Sequence, residues 1–231
     1  MAQKINPISF RLGILQVWNS SLQIFGKSFK QYSLLLQKCF QIQKILIKFF
    51  RNNNLILNYQ EWKFYNNRVF LIIWYSYSAN NMYVNKEFFS KKILKLIEQW
   101  FLSRPLLYFY LKPNSVPTSD LLVFYTHYLL EQNASSKKIM WNLFKILEIY
   151  LNKEKVSYFK SGILKVYLKG FKIRLSGRLD GSKNQMAKSI EQTSGSLSLT
   201  SLKNYVEYKN ENIFTKSGIC GLQIWLFYEL G

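Results

Sequence analysis

The stretch GFKIRLSGRLDG, Gly170 to Gly181, alternates apolar and basic side chains and ends on two glycines with Arg178 between them. Phe171, Ile173 and Leu175 fall on one face of a strand and Lys172, Arg174 and Ser176 on the other, the period of two of a half-buried sheet. One face therefore seeks a core while the other presents cations. Arg178, beside glycines that allow close backbone approach, is placed to reach a phosphate. Such a row alone reads as a solvated polar face. Density decides: Lys160, Lys165, Lys169, Lys172, Arg174, Arg178, Lys183 and Lys188 lie within 29 residues that hold one acid, Asp180.

The whole chain repeats this imbalance. Its 231 residues carry 32 Lys or Arg against 12 Asp or Glu, a formal charge of +20. A surplus of that size repels itself unless a polyanion neutralises it, and nucleic acid is the polyanion expected. Hydrophobic residues at 48% and aromatics at 17% suffice for one or two cores. The longest apolar runs, such as Val69 to Tyr75, fall well short of the roughly 18 to 20 residues of a spanning helix, so no membrane span is expected. Twenty-six Lys against six Arg, with 19 Asn and four Ala, is the skew of an AT-rich coding sequence. The segment MAQKINPISFRLGI reads as neither a secretory nor a transit leader. The expectation is synthesis inside the organelle where the chain works.

Ten glycines divide the chain, because none falls between Lys27 and Ser161. Within that interval Phe40, Ile42, Ile45, Leu46 and Phe49 have helical spacing. Leu55 to Tyr59 and Arg68 to Tyr75 read as strands around a turn at Asn66 and Asn67. Lys86 to Phe101 reads as a helix and Leu106 to Leu111 as a strand. Pro113 and Pro117 mark a linker, after which Thr118 or Ser119 caps one helix and Ser135 or Ser136 the next. From Gly162 the period becomes two, with a hairpin turn expected at Lys169 and Gly170 and further strands near Val206 to Tyr208 and Leu222 to Tyr228. The Ser- and Thr-rich run from Ser182 to Ser201 reads as an exposed loop.

Catalytic material is thin. Aspartate occurs only at 120 and 180, and His127 lies within an apolar helical run. Cys39, Cys220 and that one histidine do not make a four-ligand metal set, and no phosphate-cradling glycine loop is present. No catalytic residue, metal or cofactor is expected. Binding is the function class left.

Three collinear stretches resemble the universal small-subunit ribosomal protein three family, the KH-domain protein of the subunit head. MAQKINPISFRLGI is similar to its N-terminal signature at Gln3, Lys4, Pro7, Arg11, Leu12, Gly13 and Ile14. GFKIRLSGRLDG resembles its strand and turn, followed by Met186, Ala187, Lys188 and Ser189. TKSGICGLQIWLF (Thr215 to Phe227) is similar to its closing segment at Thr215, Gly218, Ile219, Gly221, Ile224, Trp225 and Phe227. Between them the helix, strand, strand, helix, strand order of residues 40 to 111 is that of a type II KH domain. Its GxxG loop has no counterpart, because SYSANNMYVNK stands in that place without glycine. LLEQNASSKKIMW (Leu129 to Trp141) resembles the basic helix stretch lining the mRNA entrance, with Lys137 and Lys138 on the double-basic position, although Gln132, Asn133 and Trp141 replace further cations.

The resemblance implies an α/β (α+β) protein in three parts: a basic N-terminal tail over residues 1–15, extended until it binds, a degenerate type II KH-like domain over 16–112, and a C-terminal helix-on-sheet domain over 113–231. It implies a mitochondrion-encoded structural component of the small ribosomal subunit, with ribosomal RNA, mRNA and neighbouring head proteins as partners. Expected RNA contacts are Lys4, Arg11, Lys172, Arg174, Arg178, Lys183, Lys188 and Lys216, with Lys137 and Lys138 toward mRNA. Composition leaves two alternatives open: a basic protein held on a membrane surface, and an RNA-processing factor built on a KH fold.

Overall fold

The computed structural model describes residues 5–18, 29–53, 55–65, 68–77, 86–101, 105–111, 117–179, 186–215 and 218–231. Two compact units emerge, one of residues 1–18 with 115–231 and one of residues 19–114.

In the second unit the order is helix α2 (Phe29–Asn52), strands β1 (Leu55–Tyr65) and β2 (Arg68–Tyr77), helix α3 (Lys86–Trp100) and strand β3 (Pro105–Leu111). The spacing of Ile42, Leu46 and Phe50 puts them on one stripe of α2, and all three are buried, as are Ile93 and Ile97 of α3. Phe40, which the sequence groups with that stripe, is instead 56% exposed. Both helices supply one core with Trp62, Val69, Leu71 and Ile73 of the sheet. The sheet runs β1-β2-β3, with β2 antiparallel to β1 and parallel to β3. The turn at Asn66 and Asn67, and nearly all of the stretch standing in place of the GxxG loop, lie outside the described residues.

The first unit is a helix-on-sheet layer. Helix α4 (Ser119–Glu131) begins where the Thr118 hydroxyl accepts from the Leu121 N–H at 3.3 Å, and helix α5 (Ser136–Ile149) where the Ser135 hydroxyl accepts from Lys138 N–H at 3.4 Å. Strands β4 (Glu154–Phe159), β5 (Gly162–Gly177), β6 (Lys188–Gly195), β7 (Tyr205–Thr215) and β8 (Gly218–Leu230) follow. The ladder runs β4-β5-β8-β7, and β6 also pairs with β5. Strand β5 is long enough to serve two partners on one edge, β4 along Gly162 to Tyr167 and β6 along Gly170 to Gly177. The alternation read at Phe171, Ile173 and Leu175 is realised: all three are buried with Leu222, Ile224 and Leu226 of β8 and with Ile139, Leu143 and Leu147 of α5.

Three expectations are corrected here. No hairpin turn occurs at Lys169 and Gly170; β5 runs straight through them with a bulge between Leu168 and Gly170. Gly170 has another reason to be glycine, since a Cβ there would overlap the Ser196 backbone, just as one on Gly195 would overlap Lys169. Part of the Ser182 to Ser201 run is not loop but β6, held by its ladder to β5. Over its described residues, 5–15, the N-terminal segment is not an extended tail: α1 (Pro7–Arg11) packs against β7, and Leu15 accepts a backbone hydrogen bond from Lys160 at 3.2 Å.

The sheet also curls. Lys155 of β4 and Glu207 of β7 stand at opposite ends of the ladder, yet they form an ion pair, and the rings of Phe159 and Tyr205 lie 5.1 Å apart. Burial first, then the charge of Glu207, pushes the neighbouring Tyr228 hydroxyl well above the ordinary tyrosine pKa. Toward the helices, Lys209 of β7 pairs with Asp120 of α4 at 2.9 Å. Burial raises the Asp120 pKa against the pull of Lys209; burial alone would lower that of Lys209, but Asp120 turns the net shift upward.

Candidate nucleic-acid interface

The strand order brings two of the expected cations to one end of the β5–β6 ladder. Lys188 opens β6 opposite Gly177, the last residue of β5, and Arg178 follows at once. Lys188 is exposed and Arg178 half-buried. Gly177 adopts φ 140°, and a Cβ there would press on the Cys220 backbone at 3.0 Å, so the chain turns tightly before Arg178.

Lys172 and Arg174 point to the sheet face opposite α4 and α5, as their alternation requires. Both engage Glu191 of β6, Lys172 Nζ at 2.8 Å and Arg174 Nε at 3.1 Å. Lys172 Nζ also lies 5.5 Å from the ring centre of Trp225. One carboxylate shared by two cations leaves the group positive. Partly exposed pairs of this kind contribute little to stability.

Lys137 and Lys138 are exposed in the first turn of α5. Cations at a helix N-terminus oppose the helix dipole, so these two weaken the helix they sit on, typically by a few tenths of a kcal/mol. Trp141, one turn on, is 57% exposed, and Lys145 sits 5.0 Å from its ring centre. Lys4, Lys183 and Lys216 lie outside the described residues.

Arg11 is placed against expectation. It is fully buried, and its guanidinium donates to the carbonyls of Asn204 at 2.9 Å, Pro7 at 3.0 Å, Leu199 at 2.9 Å and Ser201 at 2.7 Å. Burial lowers its pKa. The side chain cages the loop before β7 and is turned away from any phosphate outside. Gln16 adds a bond of the same kind, its amide donating to the Val206 carbonyl at 2.7 Å.

The two cysteines are shielded. Burial pushes the Cys39 thiol up to about 11, away from the thiolate form, and Cys220 is buried. Among the described residues no three His, Cys, Asp or Glu side chains gather as a metal site, and no helix is long and apolar enough to cross a membrane. Sequence reasoning missed Glu191 as the partner of Lys172 and Arg174. Its only trace in the sequence is an acid within an otherwise polar run.

Residues 153–226, which span the curled sheet from β4 to most of β8, match the family described as "Ribosomal protein S3, C-terminal domain". The chain is 49% identical over 228 residues to "Small ribosomal subunit protein uS3m" of Chondrus crispus, a match covering 99% of this chain and 94% of that one. It is 23% identical to "Small ribosomal subunit protein uS3" of Pelagibacter ubique, over 98% of this chain and 90% of the relative, and 26% identical to that of a Phytoplasma, over 99% and 83%. With half its residues shared along nearly the full length of the first of these proteins, and its curled C-terminal sheet matched separately, the chain belongs to the uS3 family of small ribosomal subunit proteins.

Proposed function

We propose that this chain is a structural, non-catalytic component of a mitochondrial small ribosomal subunit, binding ribosomal RNA in the head beside the mRNA entrance and packing against neighbouring head proteins. The observation that carries the reading is the meeting of Arg178 and Lys188 at one end of a ladder whose open face adds Lys172 and Arg174, in a chain of net charge +20. Lys4, Lys183 and Lys216 belong to the same set, and Lys137 and Lys138 face the mRNA. The 49% identity to the uS3m protein of Chondrus crispus along nearly its full length supports the mitochondrial assignment, and the Lys- and Asn-rich composition supports synthesis within the organelle.

Residues 16–112 form the degenerate type II KH domain of this reading, and the helix, strand, strand, helix, strand order from α2 to β3 supports it. With no glycine between Lys27 and Ser161 to build a GxxG clamp, the domain serves as packing surface and the C-terminal sheet carries the RNA contacts.

Binding of small-subunit RNA, measured across a salt series, tests this. Affinity falls steeply with salt, and Arg178→Ala weakens binding and flattens the logarithmic slope by about 0.9, the share of a single neutralised phosphate. An unchanged slope removes Arg178 from the interface.

A further inference from the structure

The face of the C-terminal sheet turned away from α4 and α5 is neither apolar nor simply charged. Register places Lys172 of β5, Trp225 of β8 and Tyr208 of β7 directly across from one another, in one row over three strands. The rings of Trp225 and Tyr208 are 5.2 Å apart at 36°, and the Lys172 ammonium lies 5.5 Å from the Trp225 ring centre. The next row holds Arg174, Gln223 and Asn210, and the third Ser176, Gly221 and Asn212. Gly221 is covered by Ser176, whose hydroxyl donates to the Gly221 carbonyl at 3.2 Å and would stand 3.0 Å from a Cβ there. Beyond that row the β5 strand ends at Gly177 and Arg178 follows.

Aromatic residues on an outward sheet face normally cover themselves or a partner. Here Trp225 and Tyr208 are only half-buried. The row at the other end, Val206 with Phe227, is fully buried, near where Gln16 bonds Val206. The open part is thus bounded at one end and runs toward cations at the other. Side-chain amides in the middle row are the donors and acceptors that base edges require, rings supply the stacking surface, and the two cations sharing Glu191 keep the surface positive.

We propose that this face is a nucleobase-stacking site for single-stranded RNA: one unpaired base lies on the Tyr208–Trp225 row, Gln223 and Asn210 meet its polar edge, and the phosphates run past Gly221 toward Arg178. The proposal rests on the RNA reading above and adds that the sheet holds bases as well as phosphates. A duplex, whose bases are already stacked, does not fit this chemistry; a loop or bulge of ribosomal RNA does.

The test uses the full chain and two labelled probes of equal length and charge, an oligouridylate and the corresponding abasic ribose-phosphate oligomer, with binding read by fluorescence anisotropy. The base-bearing probe binds roughly tenfold more tightly, the scale of one base–aromatic stack. Tyr208→Leu removes most of that preference, leaving abasic affinity and the thermal unfolding midpoint unchanged; Trp225→Phe, which keeps a ring, retains it. Should Tyr208→Leu fail to fold, Trp225→Leu is read in its place: loss of the preference supports the site and an untouched preference overturns its placement. Equal binding of both probes overturns the stacking site while leaving the phosphate-binding role intact. A preference untouched by Tyr208→Leu overturns its placement on this face, and failure to bind either probe or ribosomal RNA overturns the RNA reading beneath it.

Discussion

Arg11→Met lowers the stability of the C-terminal unit by about 3 kcal/mol, the combined effect of stripping donors from the carbonyls of Pro7, Leu199, Ser201 and Asn204. For a unit of this size that corresponds to a fall in melting temperature on the order of 10 °C. The guanidinium is held by carbonyl dipoles that converge from a helix and from a loop more than 180 residues later in the chain. Arg11→Lys recovers little, because one ammonium does not reproduce a planar fork that reaches several acceptors at once. The loop loses its cage first, so backbone amides between Ser196 and Asn204 exchange faster than those of β8 in the variant. Thermal unfolding and hydrogen exchange read both effects. A loss under about 0.5 kcal/mol would show that water replaces the guanidinium freely and that the cage is incidental.

Lys155→Met costs about 3 to 5 kcal/mol, more than a surface pair would, because it leaves Glu207 charged and enclosed. The Lys155 side chain is 4% exposed and that of Glu207 15%; the Tyr205 hydroxyl donates to the same carboxylate at 3.4 Å, and the Lys155 ammonium sits 5.1 Å from the Tyr228 ring centre. Adding Glu207→Leu to Lys155→Met restores part of the loss, since an apolar pair of similar volume no longer has a stranded charge. Denaturant unfolding of both single variants and the double variant closes the cycle. Strictly additive losses would mean that the two ends of the ladder do not interact and that the sheet is not held curled by this pair.

How much of this was legible depends on which residues bury a face. Strands β5 and β8 announce themselves because Phe171, Ile173, Leu175, Leu222, Ile224 and Leu226 all point to one core. Helices α4 and α5 are legible from Thr118 and Ser135, whose hydroxyls cap them. Strand β6 buries neither face deeply, so KSIEQTSG lacks the apolar alternation that marks a strand and is ordered by its ladder alone. Lys169 and Gly170 carry turn chemistry, but the glycine is needed for close approach to Ser196, a constraint invisible until β6 is in place. Lys172 and Arg174 were legible as outward cations, while Glu191 was not legible as their partner, because pairing across strands depends on register. Arg11 shows the limit most clearly. A basic residue in a short basic segment has the composition of a solvated arm, and three of the carbonyls that enclose it, those of Leu199, Ser201 and Asn204, come from the far end of the chain.

Sedimentation of a mitochondrial lysate tests the central claim, that the positive surplus is neutralised by folded RNA within a particle. The account predicts that the chain travels with the small-subunit RNA, and that it leaves that fraction in high salt or after ribonuclease. Pelleting with membranes that persists after ribonuclease would contradict it.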